Sequence, residues 1–445
     1  MDRKIYQKIV KLAVPAIISN LLATFQIIAD TIMLGRYPPA DISLSALGVG
    51  SILLFMFFPV IMGLIMGTVA IIARRWGEKR YSEAKKVATD SLITLILISI
   101  PITLFGFFLG PHIIYYLGAR GEVITEGSKY IMAVFTFIPF SIVLFTYHGI
   151  LRAAGDTKTP MYIDFVTNSY NIFMNYCLIF GNFGFPELGV LGAGIATGTS
   201  FLVGLLAYLI LQYQNKLIIY PSFKSGIKYR IRTVRKLFDI GIPAGIDMGM
   251  WAISSVFVTP FVLYFGTVGY SAFQIGLRAE SIAYMPAVGF SVATTTLTGQ
   301  YLGAKKKQKA KAVIIISTQI VLIFMAIVGA ILVLFPEYIS MVFTTDSDVI
   351  KIAAFYLFIM GFSEPALGTI FTLAGGMRGA GYTRVPMYIN FIGMIVIRLA
   401  LIYILAFLLG FGLYGIFGAI VIEIFIRAGL FYALFLKGDW KNVNV

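Results

Sequence analysis

The hydrophobic pattern of the chain consists of long apolar runs separated by short polar loops. Twelve runs have the length that an α-helix needs to cross a bilayer, about 20 residues each. They lie at 11–34, 45–73, 87–110, 127–150, 160–181, 188–213, 239–264, 271–298, 313–335, 351–376, 386–409 and 413–436. The pattern therefore predicts an all-α polytopic membrane protein with twelve transmembrane helices.

Lysine and arginine are concentrated in every second loop. The basic loops contain Arg74, Arg75, Lys79, Arg80, Lys85, Lys86, Arg152, Lys158, the strip 216–236, Lys305, Lys306, Lys307, Lys309, Lys311, Arg378, Arg384, Lys437 and Lys441. The alternate loops hold only Arg36, Arg120, Lys129 and Lys351. Because basic loops stay on the cytoplasmic side, both termini are predicted to be cytoplasmic. We expect the protein to be an integral protein of the plasma (inner) membrane.

An internal repeat divides the chain into two halves. The segment RAAGDTKTPMYI at 152–163 recurs as RGAGYTRVPMYI at 378–389, which is 226 residues later. Because six helices are an even number, the second copy enters the membrane in the same orientation. This predicts two parallel six-helix repeats around a central cavity, an arrangement typical of transporters. The predicted domains are an N-terminal lobe at 1–213, a basic cytoplasmic linker at 214–238 and a C-terminal lobe at 239–445.

Composition supports a membrane protein and excludes several other classes. Hydrophobic residues make up 59% of the chain and charged residues 12%, whereas a soluble domain carries roughly a quarter charged residues. The net charge of +15 lies in short loops, so we expect no nucleic-acid partner. Cys177 is the only cysteine, and His112 and His148 are the only histidines. We therefore expect no metal site built from these residues and no cofactor.

Polar residues inside the spans of the first half indicate a cation site. Asp30 lies in span one, Asn171 and Asn175 lie one turn apart in span five, and Thr197 lies in span six. The predicted topology places them at similar depth. A buried carboxylate beside amide and hydroxyl oxygens can hold a proton or Na⁺. The alternative is that Asp30 caps a helix end and the asparagines join helices.

The second half carries a different set of buried charges. The candidates for a second coupling site or charge network are Arg278, Glu280, Glu364, Arg398 and Glu423. Under one interpretation Glu280 or Glu423 exchanges a proton for substrate; under the other, a structural salt-bridge network surrounds Arg398. Asp247 and Arg427 also lie within spans, but Asp247 is expected too close to the cytoplasmic end to take part.

Several short segments, taken together with twelve spans and parallel halves, suggest a known family. They are Pro15, 30–35 (DTIMLG), 152–157 (RAAGDT) with Pro160, 171–175, 192–193, 196–197, 241–243 (GIP), 278–280 (RAE), 285–286 and 378–381 (RGAG). In this order they resemble the multidrug and toxic compound extrusion (MATE) family over nearly the whole chain. The resemblance implies export of cationic amphipathic drugs by alternating access, driven by inward flow of H⁺ or Na⁺. We expect a monomer in contact with membrane lipids.

The resemblance also assigns site residues and shows a departure. The family's first-half cation site maps onto Asp30, Asn171, Asn175 and Thr197. The position of Asn175 is often aspartate in relatives. Here it is a neutral amide, which leaves Asp30 as the only carboxylate of this site. The span-seven carboxylate of the NorM-like branch is replaced by Trp251. The RAE segment resembles the DinF-like branch, which makes Glu280 a second coupling candidate.

Three other functions compete with multidrug antiport. A flippase for a lipid-linked precursor would need a cationic cavity for its diphosphate, and here acids accompany the arginines. A membrane-embedded enzyme would need a nucleophile–base pair or a metal set, which the chain does not present. A channel or receptor does not explain the twofold repeat. The protein is therefore predicted not to be an enzyme.

Overall fold

The structure, a computed structural model, describes residues 3–222 and 229–443, and all regular structure within these residues is helical. The helices are α1 Arg3–Gly35, α2 Ala40–Gly77, α3 Tyr81–Tyr116, α4 Glu122–Thr136, α5 Ile138–Ala154, α6 Lys158–Phe180, α7 Gly189–Tyr213, α8 Ile231–Tyr264, α9 Thr267–Ala283, α10 Met285–Gly303, α11 Lys307–Leu334, α12 Pro336–Met341, α13 Ser347–Gly379, α14 Arg384–Phe391, α15 Arg398–Ile402 and α16 Gly412–Lys437. Residues 223–228 of the predicted linker, which include Lys224 and Lys228, lie outside the described residues.

The predicted all-α class is confirmed, and all twelve predicted spans fall on helical segments. Within the described residues, nine helical segments are long and apolar enough to cross a membrane, and the bent pair α4–α5 makes a tenth. Helix α6 and the pair α9–α10 are not in that set. They are the spans that carry the amides of Asn171 and Asn175 and the carboxyl of Glu280.

Proline interrupts two of the spans. Helices α4 and α5 meet at Phe137 with a bend of 50°, and α9 and α10 meet at Tyr284. Pro139 and Pro286 lie at the start of the second helix of each pair. Proline has no N–H to donate and clashes with the preceding turn, so a continuous helix breaks there. The apolar runs 127–150 and 271–298 were each predicted as one unbroken span.

One compact unit, here called the N-terminal unit, comprises Ile18–Trp76 and Arg80–Ile242. Within it, α7 packs against α4, α5 and α6. Glycine allows this close approach, since a Cβ on Gly198 would lie 2.2 Å from the ring of Phe137. Small residues at helix contacts are typical of membrane proteins, where packing drives association.

The second compact unit, here called the C-terminal unit, comprises Met1–Ile17, Gly77–Lys79 and Pro243–Val445. Its central helix is α13, which packs against α9, α10, α11 and α16. The start of α1 also belongs to this unit, where Ile5 and its apolar neighbours pack against Phe290 and other residues of α10 and α11. The lobes predicted from the sequence repeat, 1–213 and 239–445, stay a prediction, because these units are defined by contacts alone.

Candidate functional site

Four of the predicted site residues come together inside the N-terminal unit. Asn171 and Asn175 lie one turn apart on α6, so both side chains project from the same face. Asp30 reaches the cluster from α1 and Thr197 from α7. Asp30 is 9% exposed and both asparagines are fully buried.

Hydrogen bonds connect the four side chains in a row. Asn175 donates from Nδ2 to Asp30 Oδ1 at 2.5 Å and to Asn171 Oδ1 at 3.2 Å. Asn171 donates from Nδ2 to Thr197 Oγ1 at 3.3 Å. The single carboxylate is therefore held by a neutral amide, and no cation from a side chain is among its hydrogen-bond partners in residues 3–222 and 229–443.

One acceptor in this cluster is left unused. Oδ1 of Asn175 is buried and has no hydrogen-bond partner among the residues that the structure describes. A buried oxygen without a donor costs free energy, of the order of 1–3 kcal/mol. Beside it, Tyr130 of α4 is buried close enough to Asp30 for an electrostatic interaction. The cluster therefore offers oxygen atoms to a proton or a hard cation.

The polar face of α6 extends beyond this cluster. Asn168 and Asp164 continue the same stripe toward the start of the helix, and Asn168 Nδ2 donates to the backbone oxygen of Asp164 at 2.6 Å. Nε2 of His148 lies 3.5 Å from Asp164 Oδ1, and Arg152 Nη2 lies 4.0 Å from its Oδ2. A second ionisable group thus lies on the helix that carries the amides of the candidate cation site.

Glu423 is the centre of the charge network in the C-terminal unit. Arg398 donates from Nη2 to Glu423 Oε2 at 2.6 Å. Arg427 Nε lies 2.8 Å from Glu423 Oε1 as an ion pair, although its N–H is not aligned for a hydrogen bond. Glu423 is fully buried. Buried charges in this number are stable only when paired in this way.

The network continues toward Asp247. Arg378 donates from Nε to Asp247 Oδ2 at 2.8 Å. Asn390 donates from Nδ2 to Asp247 Oδ1 and accepts from Arg427 Nη1 at 3.1 Å. Asp247 is therefore linked to Arg378 directly and to Arg427 through Asn390, and its expected lack of a role in coupling stays a prediction.

Two further acids of this unit are not ion-paired with the arginines. Tyr356 donates its hydroxyl to Glu280 Oε2 at 2.7 Å. Glu364 is 0% exposed, and neither of its oxygens has a hydrogen-bond partner within the described part of the chain. An ionised carboxylate in that position would be costly, and a bound proton or cation would remove the cost.

The predicted residues of the second half therefore separate into three groups. Arg398 and Glu423 form an ion pair, Glu280 and Glu364 occupy buried positions, and Arg278 is exposed. Four further residues of these clusters were not predicted from the sequence: Tyr130, Tyr356, Asn390 and Ser254, which accepts a hydrogen bond from Arg398 Nη1 at 3.2 Å. Ser254 and Asn390 are polar residues within apolar runs, which is a signal that could have identified them. The two tyrosines carry no such signal among many aromatic residues.

One known protein family matches the chain over most of its length. The MatE family model matches residues 15–177 and matches again at 243–404. The chain belongs to the MatE family. The second match of one model agrees with the internal repeat and confirms the resemblance found in the sequence. The predicted closeness to the DinF-like branch stays a prediction.

Relatives of this MatE protein match it over almost its whole length. A protein of Thermotoga maritima named "Probable multidrug resistance protein NorM" is 30% identical over 441 residues, 99% of this chain and 94% of that protein. A Bacillus subtilis protein named "Uncharacterized transporter YisQ" is 27% identical and covers 96% of this chain and 93% of its own. The first name describes a multidrug resistance protein and the second a transporter.

Solved structures share the fold. A mutant of the Vibrio cholerae MATE transporter VcmN superposes with a TM-score of 0.91 at 21% identity, covering 99% of each chain. A MOP superfamily transporter from Pyrococcus furiosus superposes with a TM-score of 0.92 at 22% identity, and the match covers 99% of this chain and 97% of that one. At this identity the likeness shows the fold alone. The chain is an integral membrane protein of the MatE family with that fold.

Proposed function

We propose that this protein is a secondary active antiporter that exports cationic amphipathic compounds in exchange for H⁺ or Na⁺. The names of relatives support a role in multidrug resistance. The observation that carries the proposal is the cluster of Asp30, Asn171, Asn175 and Thr197 inside an apolar helical bundle. A carboxylate buried in a membrane protein is costly, so its presence indicates a function.

Asp30 is the coupling residue in this proposal. In the arrangement observed, an amide N–H of Asn175 donates a hydrogen bond to its carboxylate. A half-turn of that amide would bring Oδ1 to face Asp30, and two oxygens at that distance require a proton or cation between them. Occupation of the site would therefore change the contacts among α1, α6 and α7. Alternating access would use this change to couple ion entry to drug release.

The acids of the C-terminal unit serve as a second coupling site. Glu364 has no hydrogen-bond partner among residues 3–222 and 229–443, and Glu280 accepts only a hydroxyl. Both are therefore suited to take up a proton during transport. Glu423, in contrast, is held between two arginines and serves structure. In this proposal Glu280 remains a candidate for coupling, whereas Glu423 is no longer one.

The flippase alternative is less well supported. A diphosphate would need arginines that are free to bind it. Three arginines of the C-terminal unit are instead engaged by acids: the buried Arg398 and Arg427 by Glu423, and the partly buried Arg378 by Asp247. Binding an anion there would require these ion pairs to break, at a cost of about 3–5 kcal/mol for each pair.

Dye uptake into everted membrane vesicles tests the proposal. A gradient of Na⁺ directed out of the vesicle lumen is imposed in one experiment, and a pH gradient of the same direction in another. The wild-type protein should accumulate a cationic dye with only one of the two gradients, which identifies the coupling ion. Asp30→Asn should abolish that gradient-dependent uptake. Asp41→Asn, which changes an exposed aspartate of the same unit, should leave it unchanged.

The two variants are compared at equal protein in the membrane, with the gradient verified by an independent probe. Undiminished uptake in Asp30→Asn would contradict the role of Asp30. Absence of uptake in wild type with either gradient, for a panel of cationic dyes, would contradict the proposed function itself.

A further inference from the structure

A basic cavity of about 260 Å³ lies in the N-terminal unit, and none of its lining residues belongs to the candidate coupling sites. Its polar wall is formed by Arg75 at the end of α2, by Arg230 just before α8, and by Arg232 and Lys236 in the first turns of α8. Among the residues that the structure describes, Glu83 is the only acid that lines it. Four cations around one small cavity create a strongly positive site.

The acid of the cavity is already engaged by other groups. Glu83 accepts a hydrogen bond from Arg80 and lies 3.6 Å from Arg75 Nε. It therefore does not neutralise the cations on the opposite wall. Arg232 is exposed toward solvent at this position. The electrostatic field of the cavity favours an anion.

One wall of the cavity is held rigidly in place. Arg230 donates from Nε to the buried carboxylate of Asp90 on α3 at 2.9 Å. Next to it, the hydroxyls of Tyr229 and Thr94 lie 3.0 Å apart. Nη2 of Arg230 is buried and has no acceptor among the described residues. A fixed guanidinium with an unused donor is prepared for a further oxygen ligand.

The start of α8 adds to the positive potential. This helix begins at Ile231 and has no acid in its first turn. Negative charge normally compensates the partial positive charge at a helix N-terminus. Arg232 occupies that turn instead, so the first turn itself supplies no compensating negative charge. An anion in the cavity would supply it.

We propose that this cavity binds a phosphate group. The guanidinium groups match the geometry of phosphate oxygens, and Ile71 and Val87 provide an apolar wall next to them. Its position beside the basic loops places it at the predicted cytoplasmic surface of the membrane, where anionic lipid headgroups are abundant. The phosphate comes either from such a headgroup or from a soluble phosphate compound, and the experiment distinguishes the two sources.

The test compares Arg232→Gln with Arg235→Gln in the purified full-length protein. Both residues are exposed and lie on the first turns of α8, but Arg235 does not line the cavity. Retention of phosphatidylglycerol against phosphatidylcholine is measured by native mass spectrometry. Thermal stabilisation by inorganic phosphate is measured separately in nanodiscs of phosphatidylcholine. We expect Arg232→Gln to weaken phosphate binding by roughly tenfold, the effect of losing one charge-assisted contact.

The result identifies the source of the phosphate. Loss of phosphatidylglycerol retention in Arg232→Gln alone supports a lipid headgroup, and loss of stabilisation by inorganic phosphate alone supports a soluble ligand. Equal binding by wild type and both variants in both measurements overturns the proposal. So does equal weakening in Arg232→Gln and Arg235→Gln, which would indicate a diffuse effect of net charge.

Discussion

At the scale of single residues, the cluster around Asp30 combines one carboxylate with neutral amides and a hydroxyl. Two asparagines supply amide dipoles, and Asn175 contacts Asp30 and Asn171 at once. A neutral partner leaves the net charge of the pair at −1 without a cation and at zero with one. Binding a single proton or Na⁺ therefore balances the site, which suits exchange of one charge per cycle.

We predict that Asn175→Asp makes the cation site bind more tightly. Two adjacent carboxylates repel each other unless a proton or cation lies between them. The half-saturating concentration of the coupling cation in vesicle dye uptake should fall by roughly tenfold, as for about 1.4 kcal/mol of repulsion relieved on binding.

Asn182→Asp provides the matched control for this substitution. Asn182 follows directly after α6 and lies outside the cluster, so the same change of charge there should not alter the half-saturating concentration. An unchanged or higher concentration in Asn175→Asp would show that the cation does not bind between these two side chains.

At the scale of helices, the eleventh span departs from regular α-helical geometry. Two π-helical turns, Ile392–Ile397 and Tyr403–Leu408, flank the short helix α15 that begins with Arg398. Such wide turns often occur at functional sites. Gly393 lies in the first of them, next to Glu423 on α16. A Cβ at Gly393 would lie 2.7 Å from Glu423 Oε1, so glycine is what allows the carboxylate to fit.

We predict that Gly393→Ala destabilises the C-terminal unit. The new methyl group would push Glu423 away from its two arginines, and overpacking at such a site costs about 1–3 kcal/mol. The midpoint of thermal unfolding of the purified protein in detergent should fall by several degrees.

Gly429→Ala on α16 is the control, because nothing lies within 4 Å of the Cβ that it would add. Alanine has the higher helix propensity, so this variant should be as stable as wild type or slightly more stable. If both variants unfold at the wild-type temperature, Gly393 is not required for the position of Glu423.

Helix positions could be predicted from the sequence because apolar runs of membrane length are a strong local signal. The helix breaks at Phe137 and Tyr284 were harder to predict from the sequence, because a proline near the middle of a span bends some helices and leaves others continuous. The π-helical turns have no local signal in the apolar segment 392–408. Pairings such as Asp247 with Asn390 join residues that are far apart in sequence, so no periodicity within one helix could reveal them.

The candidate cation site was easier to predict than the charge network. Asn171 and Asn175 share one face of a helix, and the topology places Asp30 and Thr197 at similar depth. In the second half, several acids and arginines allowed many pairings, and only the fold selects Arg398 and Arg427 as the partners of Glu423. The functional roles of all these residues stay predictions.

At the scale of the whole molecule, duplication of the sequence did not duplicate the chemistry. The repeat places Ile397 at the position of Asn171, Leu401 at that of Asn175, and Glu423 at that of Thr197. One half thus carries a small cluster with a single carboxylate, and the other carries extended ion pairs. The shared backbone provides two similar bundles, and their polar residues have diverged.

The orientation of these bundles in the membrane is the remaining prediction. Cys177 is the only cysteine and is buried, so Cys177→Ser gives a background without thiols. Tyr116 at the end of α3 is 83% exposed and Tyr213 at the end of α7 is 89% exposed. In that background, Tyr116→Cys should react with a membrane-impermeant maleimide in intact cells. Tyr213→Cys should react only after the cells are permeabilised.

The pair is informative because both sites start as exposed tyrosines and differ only in the predicted side of the membrane. Tyr213 lies three residues before the basic strip 216–236, which the positive-inside rule predicts to be cytoplasmic. Tyr116 adjoins a loop in which Arg120 is the only basic residue before α4. Labelling of Tyr213→Cys in intact cells would show that the true topology is the inverse of the predicted one. The phosphate-binding cavity would then face the cell exterior, and its phosphate would come from an outer-leaflet headgroup or from soluble phosphate in the medium.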